Sequence, residues 1–238
     1  MSTFVRLVSM EARKIVTTRS SRLFLVLVAL LGGTVSAAAA AWAPSAAVEV
    51  SAALIPLGIL FALALPVVGI LVMTSDWQTR DVMGLFLAQP RRGRTFAAKI
   101  VAALLSTVVL LAGAVSVAIG IAALVALATR RSLVWSGVDE GLTVLSVAAV
   151  LGTCLGVALG AAVQNATGAI ALSFLQVLVV DPLVGFLPNG VGPFLQSNSI
   201  SALLLEGGSL LPALSGFVLW LLVPGGIGWW RHLTREVS

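Results

Sequence analysis

Residues 53–74 read ALIPLGILFALALPVVGILVMT, and no charged side chain interrupts them. About 20 consecutive apolar residues cross the hydrocarbon core of a bilayer. Five further runs of this kind lie near 23–42, 100–128, 142–163, 168–187 and 210–230. Of the 238 residues, 59% are hydrophobic and 10% charged, and the charges gather in short islands between the runs. A mean hydropathy of +1.11 lies far above that of a soluble globular chain. No polar island is long enough to fold as a domain of its own. The pattern predicts an all-α polytopic membrane protein, with residues 1–238 as one transmembrane domain of six helices.

The sparse reactive residues exclude several chemistries. One cysteine, Cys154, rules out a disulfide within the chain and a multi-cysteine metal site. The one histidine, His232, falls beyond the last run, so no pair of intramembrane histidines can hold a haem. There is no G-x-x-x-x-G-K-[ST] phosphate loop, no H-E-x-x-H and no G-x-S-x-G. The chain is therefore read as a non-enzyme that binds no cofactor or metal itself. The net charge of +5 and pI near 11.0 come from basic residues beside spans, where they normally collect. A nucleic-acid partner is not expected; the expected surroundings are lipid.

Basic residues also set an orientation. With six spans, one side holds Arg6, Arg13, Lys14, Arg19, Arg22, Arg80, Arg91, Arg92, Arg94, Lys99, Arg231 and Arg235. The other side holds only Arg130 and Arg131. Basic loops stay cytoplasmic, so both termini are expected in the cytoplasm. Only two of the 14 basic residues are Lys, amid much Ala, Val and Gly, a usage that leans toward a GC-rich bacterial genome and hence a bacterial inner membrane. A competing reading of the first run is a signal peptide, with an apolar core at Leu23–Leu31 and small residues at Ala37–Ala41.

Between these landmarks the sequence is patterned. Over 2–20, Phe4, Val5, Val8, Ala12, Ile15 and Val16 share one helical face, and Arg6, Ser9, Arg13 and Thr17 another. This fits an interfacial amphipathic helix, or a basic flank that only orients span 1. Pro56 and Pro66 in span 2 permit bends that could line a path or serve packing. Residues 75–99, SDWQTRDVMGLFLAQPRRGRTFAAK, place a short amphipathic piece at Val82–Ala88 before Pro90 and a basic cluster, an order that suits docking to a partner. Span 3 is longer than a bilayer requires and is expected to tilt or protrude. Gly152, Gly156 and Gly160 form a small-residue stripe for close packing, within the chain or across a dimer. Asp181 is the one acid inside an apolar run; it either faces a path or marks a wet helix end stopped by Pro182. Residues 183–210 keep enough apolar side chains among Gly, Pro, Ser and Asn to form half-inserted helices. Trp42, Trp220, Trp229 and Trp230 are expected at the interfaces.

Three stretches together resemble the permeases of ABC type-2 exporters. MEARKIVTTRSSRLFLV (10–26) is similar to the family's elbow helix, with Glu11, Arg13, Lys14 and Arg19 in the usual order. Residues 75–99 resemble its loop of acid, helix, Pro-basic-x-Arg and Lys, carried here by Asp76, Trp77, Pro90, Arg91, Arg92, Arg94 and Lys99. VVDPLVGFLPNGVGPFLQ (179–196) resembles its acid-Pro segment and outer half-helices. Arg80 and Asp81 depart from the Gly-Thr common in such loops. The resemblance implies a coupling helix near Asp76–Ala88, with Asp76, Trp77, Arg80, Asp81, Val82, Leu85 and Phe86 meeting a separate ABC ATPase. It also implies ATP and Mg²⁺ on that ATPase, a second permease subunit, identical or related, and export; the apolar walls suggest a hydrophobic or amphipathic substrate such as a drug, lipid or peptide. An ATP-independent transporter or channel and an accessory membrane subunit are the alternatives.

Overall fold

The computed structural model describes residues 3–17, 19–43, 47–79 and 92–234. Its helices are α1 (Thr3–Thr17), α2 (Arg19–Trp42), α3 (Val50–Thr79), α4 (Arg92–Thr129) and α5 (Val138–Val163). They continue with α6 (Ala166–Gly185), α7 (Gly192–Leu195), α8 (Ser199–Glu206) and α9 (Leu210–Thr234). Six of these, α2 to α6 and α9, are long and apolar enough to cross a membrane. The chain is an all-α, multi-pass membrane protein. One small departure from pure helix is a parallel pairing of β1 (Ala47–Glu49) with β2 (Ser132–Val134), in which Val48 faces Leu133. Three residues per strand carry too little pattern to be read from sequence.

α3 is the hub. In its most apolar stretch 61% of residues are buried, against 11% in α4 and α9. It packs on α2, α4 and α5 around Leu54, Leu57, Phe61, Leu65, Ala122 and Leu145. The tightest contact is with α5. A Cβ on Gly156 would collide with the Pro66 carbonyl, and one on Gly69 would lie 2.5 Å from the Thr153 carbonyl. Gly152 and Gly160 face the same helix. The stripe thus lies against α3 of the same chain, and glycine allows the backbones to approach because no side chain separates them. Thr107 and Thr153 hydroxyls meet at 2.6 Å and link α4 to α5. Both prolines of α3 lie inside one continuous helix.

α4 has 38 residues, about 57 Å at 1.5 Å per residue, well beyond the roughly 30 Å hydrocarbon core. Two arginines close other helices: Arg131 donates to the carbonyls of Ala41, in the last turn of α2, and Ala43, just past its end, at 2.9 and 3.2 Å. Arg231 donates to the Ala162 carbonyl at the end of α5. A cation there satisfies orphan carbonyls and opposes the negative end of the helix dipole.

Pro182 does not stop the fifth span. The helix widens to a π-turn over Gln176–Val180, where the Asp181 amide donates to the Gln176 carbonyl, and continues to Gly185. α9 repeats the arrangement, with a π-turn at Val218–Leu222 before Pro224. A proline lacks an N–H and crowds the carbonyl four residues back; the wider turn accommodates both effects. Segments 188–206 form short helices folded against α6 and α9.

Candidate functional site

Two polar clusters stand out at opposite ends of the bundle. The first lies where α1 meets α3 and α4. α1 packs on α4 through Val8, Ala98 and Ala102. Glu11 follows Val8 by one helical turn, so it is carried into the same contact. There its carboxylate lies 3.6 Å from the Lys99 ammonium, with both side chains buried. Lys99 also donates to the Val72 carbonyl at 3.1 Å and lies 3.5 Å from the Ser75 hydroxyl. One ammonium therefore joins α1, α3 and α4. A turn earlier in α4, Thr95 lies 3.4 Å from His232, and Phe96 meets Trp229 edge-on at 5.1 Å. These contacts bring α9 to the same place.

The buried face of α1 differs from the simple apolar stripe expected. Val8 and Glu11 are buried, whereas Phe4 and Val5 are exposed. Arg13 is exposed. Lys14 lies in α1 and Arg19 opens α2, with side chains outside the described residues. Asp76 and Trp77 belong to the last turn of α3, again without described side chains. Arg80, Asp81, Val82, Leu85 and Phe86, with the expected helix Val82–Ala88, lie outside the described residues, as do Pro90, Arg91 and Arg235. The helix ends on either side of that segment are Thr79 and Arg92, at the Lys99 end of the bundle.

The second cluster surrounds Asp181, at the end away from α1. Asp181 is 6% exposed. Its carboxylate accepts the Ser197 amide at 3.0 Å and the Ser197 hydroxyl at 2.6 Å. Gln176, one turn back and fully buried, donates to the same hydroxyl oxygen. Gln196 donates to the Asp181 carbonyl at 2.9 Å. Asp181 is thus a buried clasp that holds the 196–198 turn against α6, rather than a wet helix end. Trp220, half-buried in the middle of α9, donates its indole N–H to the Leu195 carbonyl at 2.8 Å. Asp181, Ser197 and Trp220 line a cavity of about 270 Å³ between α3, α5, α6, α8 and α9. Pro56 and Pro66 are not among its lining residues.

Chemically, the first cluster can transmit displacement between elements and the second can hold a polar group in an apolar wall. Among the described residues no three His, Cys, Asp or Glu side chains gather as a metal site would require. Sequence reasoning picked out Glu11, Lys99 and Asp181 singly. It missed Gln176, Ser197 and the pairing of Glu11 with Lys99. A signal for that pairing did exist: Glu11 interrupts the apolar stripe between Val8 and Ile15. No protein-family model matches the chain, and no curated protein matches it in sequence.

Proposed function

We propose that the chain is the membrane-spanning permease subunit of an ABC type-2 exporter, driven by a separate ATPase. The observation that carries this reading is the clamp at Lys99. The segment between α3 and α4 follows Thr79, one turn beyond Ser75, and is followed by the first turns of α4, where Lys99, Thr95 and Phe96 tie that helix to α1, α3 and α9. A push on that loop moves four elements together, which is what an external motor needs from a coupling contact. In this reading α1 is the elbow helix on the cytoplasmic surface of a bacterial inner membrane. Both termini are cytoplasmic, and two such subunits, identical or related, enclose the path. ATP and Mg²⁺ act on the ATPase. The coupling contact comprises Asp76, Trp77, Arg80, Asp81, Val82, Leu85 and Phe86.

A second reading, ATP-independent transport, draws on Asp181 alone, since such transporters commonly place ionisable groups at the path. The two separate in reconstituted vesicles. Leu85→Asp in the complex with its ATPase should reduce substrate-stimulated ATP hydrolysis at least tenfold while leaving the melting temperature unchanged. Unaltered stimulation after disruption of all of 82–88 would remove the coupling assignment. Transport by the purified chain with no ATPase present would remove the exporter reading.

A further inference from the structure

The Asp181 cavity carries a more specific inference, which rests on the exporter reading only for calling its occupant a substrate. An aspartate with 6% exposure in a span is expensive unless its charge is balanced. Among the described residues no Lys, Arg or His side chain pairs with it; the carboxylate's partners are the amide and hydroxyl of Ser197. A carboxylate offers about four acceptor positions, so acceptor capacity remains after those two bonds. Asp181 is also a cavity wall, as are Ser197 and Trp220, while Ala62, Val144 and Leu155 supply an apolar remainder. The indole adds an aromatic surface of the kind that attracts organic cations.

The placement is built by the backbone. Val177 and Asp181 come from the π-turn of α6 and its edge, and Trp220 and Leu221 from the π-turn of α9. π-turns occur often at functional sites because they re-aim side chains without ending the helix. Here both turn toward one space. At about 270 Å³ it lies just below the roughly 300–1,000 Å³ of drug-sized ligand sites.

We infer that this cavity binds a small amphipathic organic cation, an ammonium group bearing an apolar body, with Asp181 as its counter-ion. The charge selects the sign, the hydrocarbon wall holds the body, and the ligand's ammonium balances the carboxylate.

The test uses the full chain in neutral maltoside micelles, which hold no ammonium headgroups. Octyltrimethylammonium and octyl sulfate, equal in tail and opposite in charge, are measured by equilibrium dialysis against empty micelles. The expected result is saturable binding of the cation and none of the anion. Asp181→Asn, which keeps an acceptor for the Ser197 amide, should weaken the cation at least tenfold, about 1.4 kcal/mol. Ala62→Phe, which fills the space and leaves the charge, should weaken it as much. Equal binding of both probes, no binding of either, or wild-type cation affinity in both variants overturns the inference. If Asp181→Asn does not fold, Ala62→Phe decides. ATPase recovered with the same preparation separates the two claims. Charge-selective binding without any ATPase contradicts the exporter and leaves the cation site standing. An ATPase without charge selectivity contradicts the site alone.

Discussion

Glu11 and Lys99 are far apart in sequence and 3.6 Å apart in space. A buried pair of this kind adds little compared with an apolar pair of the same shape, but removing one partner strands the other. Glu11→Gln should therefore cost about 3 kcal/mol, and Lys99→Met a similar amount. The double variant should cost less than their sum, because the stranded charge is gone. Thermal unfolding in detergent followed by tryptophan fluorescence reads all three. Strict additivity would contradict a direct contact. Gly156 tests packing in the same assay. A methyl there meets the Pro66 carbonyl, whereas Gly120 has nothing within 4 Å of an added Cβ. Gly156→Ala should destabilise by about 3 kcal/mol, and Gly120→Ala should be neutral or slightly stabilising. At this scale the sequence was partly readable. A glycine every fourth residue announces a close approach, and the partner helix is fixed only by the tertiary fold.

At the scale of elements, the six spans were readable because length and hydropathy suffice for a helix in lipid, where every backbone group must be satisfied internally. Helix ends at Trp42 and Val163 agree with the apolar runs. The course of α6 was not readable. Pro182 ordinarily predicts a stop, and here a π-turn absorbs it. The choice depends on neighbours: Gln176 and Asp181, on that turn and its edge, both bond Ser197. Pro182→Ala restores an N–H and favours an ordinary α-turn, which would rotate Asp181 away from the 196–198 turn. Hydrogen exchange at the Ser197 amide should then rise about fivefold, the equivalent of one net hydrogen bond of about 1 kcal/mol. Unchanged exchange would show that the π-turn is held by packing and not by the proline. The β1–β2 pairing was likewise invisible, since its three-residue strands are joined by tertiary contact rather than by a hairpin.

Over the whole molecule, α3 sits at the centre, and α1 and α9 reach its neighbours at one end while the Asp181 cavity occupies the other. Under the proposed function, the driven contact lies at one end and the inferred binding space at the other. α3 spans the distance: Val72 accepts from Lys99 at one end, and Gly58 lines the cavity toward the other. The architecture of helices was legible from hydropathy. The proposed function rests on the order of loosely patterned stretches, none of which is a catalytic motif that spacing alone identifies. We propose that a separate motor drives this chain. The most direct test is to recover the tagged chain from its native membrane in mild detergent, identify what accompanies it by mass spectrometry, and measure ATP hydrolysis. The account predicts a nucleotide-binding subunit at near-equal stoichiometry, with hydrolysis that falls when Leu85 is replaced by Asp. Repeated recovery of the folded chain without any ATPase would contradict it.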